Sequence, residues 1–269
     1  MSAREHPAGA ASRRPFGSRR TVRVIAPILF GLVVLALWQA AVVVFKIQPF
    51  VLPGPIAIGT QFGQRAPFVL NAALITALNA LLGLAIGTVA AAVGAALAAS
   101  VHVLDELSAP IVTAASVIPI VSLAPALYTM FGADQQTARV LIAALAAFIP
   151  VYFNTLRGLR TVAPIHRDLM RSYATSRGQA LRAVTLPGAL PYFFTGVRIA
   201  SSLAVISALI AEDFGGPIKG LGTAITTAVS SSNYPLAWAF VLGAIITGLV
   251  FYCVTLVLET AATWHRASA

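Results

Sequence analysis

The chain has 269 residues, 58% of them hydrophobic and only 10% charged, with a mean hydropathy of +0.87. A soluble domain carries roughly a quarter charged residues, so the polar surface here is too small to wrap a water-soluble core, and lipid is the solvent for most of the chain. The net charge of +10 does not point to nucleic acid, because the cations gather in two clusters rather than along a basic stripe interleaved with exposed aromatics.

Residues 1–21 are rich in Arg, Ser, Ala, Gly and Pro and read as a disordered basic tail. Residues 22–269 follow as one membrane domain. Crossing roughly 30 Å of hydrocarbon takes about 20 apolar residues, and six runs meet that length: 22–45, 71–100, 107–131, 137–156, 190–211 and 236–262. Runs this long in lipid must be helices, which satisfy their own backbone groups. In the second run Gly83, Gly87 and Gly94 among many alanines predict close helix packing.

The third run carries Pro119 and Pro125, each of which removes a helix hydrogen bond. The expectation is a helix kinked or broken at depth, with Pro119, Ser122, Pro125 and Tyr128 lining a polar translocation path; broken helices survive where freed groups face a cavity or protein. Asn154, near the end of the fourth run, joins that candidate path.

Between Arg157 and Pro187 six arginines stand in a polar interlude. Pro164 suits a first helical turn. Leu169 with Tyr173, and Met170 with Ala174, stand four apart and form one apolar ridge, with Arg167, Arg171 and Arg177 at other angles. Gly178 reads as the end of this helix, and 179–185 as a second helix stopping at Pro187. Such an amphipathic element can lie on lipid or enter a partner's groove.

After the fifth run come Glu212 and Asp213. They read either as two solvated acids at a helix end, or as a polar element near the outer mouth of a path or a docking surface for a delivering partner. Arg and Lys placement sets orientation. Thirteen cations, including the interlude and Arg266, fall on the side of both termini, and four (Lys46, Arg65, Arg139, Lys219) on the other. Both termini and the interlude are therefore expected in the cytoplasm.

No phosphate-binding Gly-x-x-x-x-Gly-Lys-Ser/Thr loop is present, so the chain does not power transport itself. His6, His102, His166 and His265 are scattered, and no metal site is expected. Cys253 reads as a small buried hydrophobe. No nucleophile elbow or convergent carboxylate pair supports an enzyme.

Counted back from Leu186-Pro187, the interlude resembles the coupling loop of the inner-membrane permease subunits of bacterial ABC importers, loosely Glu-Ala-Ala, Gly four residues on, then Leu-Pro. Asp168 takes the acidic position, Leu169 and Met170 the alanines and Ala174 the glycine, with Ser176-Arg177 and Leu181-Arg182 following. Leu52-Pro53-Gly54-Pro55, Ile118-Pro119, Phe131-Gly132, Glu212 and Gly220-Leu221-Gly222 resemble the nitrate/sulfonate/taurine branch, which includes pyrimidine-precursor and riboflavin permeases.

The resemblance implies an all-α, type I permease of six transmembrane helices with a cytoplasmic coupling helix, the coupling loop falling at 157–189. It implies a second permease subunit (homodimer or heterodimer), two ABC ATPases that bind ATP and Mg, and an extracytoplasmic solute-binding protein. Asp168, Leu169, Met170, Tyr173, Ala174, Arg177, Leu181, Arg182 and Pro187 become the expected ATPase-coupling residues. The solute is expected to be small and organic or anionic, the location a bacterial plasma membrane, and no cofactor is expected in the chain. An ATP-independent secondary transporter or channel is the alternative.

Overall fold

The computed structural model describes residues 17–133, 135–161, 170, 172–173, 175–215 and 220–263. Regular structure over these residues is helical: α1 (Gly17–Val44), α2 (Pro55–Gln64), α3 (Ala66–Ser100), α4 (His102–Val117), α5 (Ile120–Phe131) and α6 (Thr137–Arg160). Then come α7 (Arg177–Ala180), a π-helical stretch (Leu181–Thr185), α8 (Leu186–Phe214), α9 (Leu221–Ser230) and α10 (Tyr234–Thr263). Five of these are long and apolar enough to cross a membrane, and the α4–α5 pair makes a sixth if it counts as one span. The short helices α2 and α9 were not anticipated; each sits in a connection between apolar runs.

The chain divides between Ala57 and Ile58 into two compact units. In the first, the turn after α1 folds back on it: Gln39 Oε1 accepts the Ile56 N–H at 3.2 Å, and a Cβ on Gly54 would stand 2.7 Å from that same oxygen.

In the second unit α3, α6 and α8 form the centre, with α6 packed most extensively against its two neighbours. The pattern of burial inverts that of a soluble helix. Along α3 the buried face is Ala72, Thr76, Asn79, Ala80, Gly83, Gly87, Ala91 and Ala95, while Leu74, Leu78, Leu82, Val89 and Val93 point outward. Lipid tails are as apolar as leucine, so large side chains gain little by hiding; small ones let backbones approach. A Cβ on Gly83 would stand 2.5 Å from that of Ala143, and one on Gly87 would strike the Ala144 carbonyl. Gly94 is different, for the Tyr152 ring lies at an ordinary 3.6 Å from such a Cβ. Between α6 and α8, Gly158 meets Ala189 and Tyr192, and Gly196 meets Pro150 and Val151. Cys253 is exposed on α10 among outward Tyr252 and Val254, not buried.

The third span is broken as its prolines suggest, with a bend of 102° between α4 and α5. The break is at one proline only. Ile118 and Pro119 are both extended (ψ 124° and 107°), as a residue before proline prefers. Pro110 and Pro125 lie inside α4 and α5 without interrupting them. Gly132 closes α5 with φ 86°, a value that side chains resist, and its N–H reaches the Tyr128 carbonyl at 2.9 Å.

Candidate functional site

One end of the bundle holds the described residues of the interlude. Of the expected coupling residues, Asp168, Leu169 and Ala174 lie outside the described residues, as do Pro164, Arg167 and Arg171. Tyr173 is 73% exposed, Leu181 and Arg182 are also exposed, and Met170 and Pro187 are half-buried. A reciprocal cap starts α7: the Ser176 N–H donates to Gln179 Oε1 (2.8 Å) and the Gln179 N–H to Ser176 Oγ (3.3 Å). Gly178 is thus inside a helix rather than ending one. Nor does the helix stop at Pro187, which falls in the first turn of α8. The preceding π-helical stretch, closed by the Leu186 N–H on the Leu181 carbonyl, carries the chain from α7 directly into α8. Nearby, Arg160 on α6 pairs with Asp105 on α4, and Tyr152 donates to Ser108 Oγ at 2.7 Å.

At the opposite end of α8 stands Glu212, fully buried. Its Oε2 accepts the Thr76 hydroxyl (2.7 Å) and the Gly222 N–H (3.1 Å), and its Oε1 accepts Asn79 Nδ2 (3.3 Å). Thr76 Oγ1 in turn accepts the Leu221 N–H at 2.9 Å, and the Thr223 hydroxyl donates to the Glu212 carbonyl at 2.9 Å. The free N–H groups that open α9 are therefore capped by side chains of α3 and α8, not by its own N-cap, Gly220. Glycine is needed here: a Cβ at Gly220 would collide with the Glu212 carboxyl, and one at Gly222 with the Leu209 carbonyl. Glu212 is enclosed, unlike its neighbour Asp213, which is exposed and accepts the Thr226 hydroxyl.

Beside this cluster Tyr128 of α5 is buried, its hydroxyl donating to the Ala211 carbonyl at 2.7 Å and accepting from Arg139 Nε at 3.2 Å. Arg139, counted by sequence as a cation at a helix mouth, is wholly buried and drops out of the orientation count. The other path candidates are dispersed. Pro119, Ser122 and Pro125 are exposed, with Ser122 Oγ donating to the Pro119 carbonyl at 2.7 Å. Asn154 is half-buried at the α6–α8 contact and donates to the Pro150 carbonyl of its own helix at 2.8 Å. Among the described residues no three His, Cys, Asp or Glu side chains gather as metal ligands would.

Residues 83–264 match the family described as the binding-protein-dependent transport system inner membrane component. The chain belongs to that family. Among the similar permeases is the riboflavin transport system permease protein RibX of Chloroflexus aurantiacus, 30% identical over 85% of each chain. Another is the formylaminopyrimidine transport permease protein ThiX of Halalkalibacterium halodurans, 29% identical over 76% of this chain and 81% of that one. A third is the putative aliphatic sulfonates transport permease protein SsuC of Bacillus subtilis, 30% identical over 75% and 73%. Its fold resembles the crystal structure of an amino acid ABC transporter with histidines, with a TM-score of 0.59 and 16% identity over 77% of this chain and 97% of that one. The branch expected from the Leu-Pro and Gly-Leu-Gly motifs is the branch found, and the permease is an all-helical, multi-pass membrane protein.

Two features of this permease escaped the sequence. Arg198, a cation inside the fifth apolar run, pairs on α8 with Glu259 of α10 at 3.2 Å, and Thr195 donates to the same carboxylate at 2.8 Å. The guanidinium also lies 5.8 Å from the Tyr252 ring centre. Two lone charges in separate apolar runs were the available signal, since an ionisable group within a span requires a partner. Thr76 and Asn79, polar residues three apart in the second run, were the corresponding hint of what Glu212 would need.

Proposed function

We propose that this chain is the transmembrane subunit of an ATP-driven importer, taking up a small organic or anionic solute. In this reading two cytoplasmic ABC ATPase subunits bind ATP and Mg. A second permease subunit, the same chain or a related one, completes the pathway, and an extracytoplasmic binding protein delivers the solute. The interlude and both termini face the cytoplasm of a bacterial cell, as the distribution of arginine favours.

The observation that carries this reading is that α7 and the π-helical stretch, exposed in part, run without interruption into α8. Tyr173, Leu181 and Arg182 stand unburied beside α7, and α7 continues into a helix running the depth of the bundle. A push on that segment by closing ATPases becomes a movement of α8, and rocking of helices about a fixed site gives alternating access. The path is assigned to the broken third span around Pro119, Ser122, Pro125 and Tyr128, with Asn154 on the adjoining helix. The relatives' names, covering a flavin, a pyrimidine and sulfonates, support a small solute.

Affinity purification from native membranes tests the assignment. A nucleotide-binding subunit copurifies in the proposed importer, and its reproducible absence with uptake intact would instead indicate an ATP-independent transporter or channel.

A further inference from the structure

α8 connects two dissimilar ends. From Leu186, beside the coupling segment, to Glu212 it spans about 40 Å of unbroken helix. At the far end Glu212 is the only side chain among the described residues whose carboxylate meets α9 and α3 together: Gly222 N–H on one side, Thr76 and Asn79 on the other. The cluster is buried, and the two glycines leave no gap between the carboxyl and the α9 backbone. Helix displacement at the inner end therefore reaches α9 and α3 together through this buried carboxyl group, beside the Thr223 hydroxyl bond to the Glu212 carbonyl. Asp213, one residue on, accepts the hydroxyl of Thr226 on α9, a second tie between the two helices, but an exposed one that does not include α3.

We propose that Glu212 is a positioning residue for transport, a hydrogen-bonded joint that makes α9 move with α8 when the ATPases act on the coupling segment. This deepens the importer reading and rests on it. The joint works through bond geometry rather than charge. In Glu212→Gln the amide oxygen still accepts Thr76 and Gly222, and its NH2 turns to Asn79, whose Oδ1 is buried without a hydrogen-bond partner and becomes the acceptor once that amide flips. Glu212→Ala removes all three carboxyl bonds and keeps only the Thr223 bond to the backbone carbonyl. Thr76→Val keeps the carboxylate but removes both its hydroxyl donor and the acceptor for the Leu221 N–H.

The test uses the full complex with its ATPases in nanodiscs, with the exposed Cys253 changed to Ala and one bimane fluorophore attached at a time. One label sits at Thr227→Cys, exposed on α9, and one at Leu190→Cys, near the inner end of α8. MgATP with vanadate is the probe. Both labels respond in the otherwise unsubstituted complex. In Glu212→Ala the Leu190 response persists while that at Thr227 falls about fivefold or more, within the range of a lost coupling contact. Thr76→Val behaves likewise, and Glu212→Gln restores the Thr227 response. An undiminished Thr227 response in Glu212→Ala overturns the joint, as does a Gln variant as defective as Ala. If the Ala variant fails to assemble, Thr76→Val decides in the same way. No response at Leu190 in the unsubstituted complex means instead that the coupling reading has failed; a response there with none at Thr227 sinks the joint alone.

Discussion

At the scale of single residues the fold depends on contacts that tolerate no added atom and on charges that need one partner each. A methyl at Gly222 would press the Leu209 carbonyl and stand 2.9 Å from Glu212 Cβ, and neither neighbour is a flexible chain end. Gly222→Ala should therefore lower stability by about 1–3 kcal/mol, read as a drop in Tm of the permease in nanodiscs. Arg198 and Glu259 give a sharper case. Arg198→Met or Glu259→Leu alone leaves a poorly solvated charge and should cost about 3 kcal/mol, whereas the double substitution should cost less than either single one. Thermal unfolding of the three variants checks the order. Both charges were legible in the sequence as anomalies within apolar runs. Their pairing was not, because Glu259 lies 61 positions beyond Arg198 and 64 beyond Thr195, and helix periodicity says nothing about which helices meet.

At the scale of elements, run length located the spans well, since hydrocarbon thickness fixes how many apolar residues a crossing helix needs. What it blurred was where helices end. The fifth run was placed at 190–211, yet α8 starts at Leu186 and ends at Phe214, because proline in a first turn and polar residues with internal partners do not stop a helix. Pro119 and Pro125 looked equivalent in sequence, and only Pro119 lies at the break. The boundary of α7 was legible in principle, as Ser176 and Gln179 have the spacing of a reciprocal cap. Ser176→Ala should weaken that start by about 1 kcal/mol, seen as faster amide exchange at residues 177–180 with α8 unchanged.

At the scale of the molecule, composition alone gave the solvent, and the order of motifs gave the family, because both are carried by the chain locally. The Glu212 cluster was half visible: its glycines and acid stand together in sequence, but Thr76 and Asn79 come from more than 130 residues away. The proposed coupling segment makes the matching prediction for the proposed assembly. Tyr173→Ala truncates the most exposed aromatic ridge residue there and should weaken ATPase association about tenfold, measured by binding of the isolated nucleotide-binding subunit to the permease in nanodiscs. The Tm of the permease should stay unchanged, since that ring buries little against its own chain.

The π-helical stretch at Leu181–Thr185 has a consequence for how this surface is aimed. It houses one residue more than an α-helical ladder would, and each residue of an α-helix turns the wheel by about 100°. The compass bearing of α7 is thus set independently of α8, by a single inserted residue. Deleting Ala183 should leave everything beyond Pro187 in phase while swinging the exposed side of α7 to a different azimuth. Membrane insertion and Tm would survive such a deletion, and recognition by the proposed ATPase partners would not.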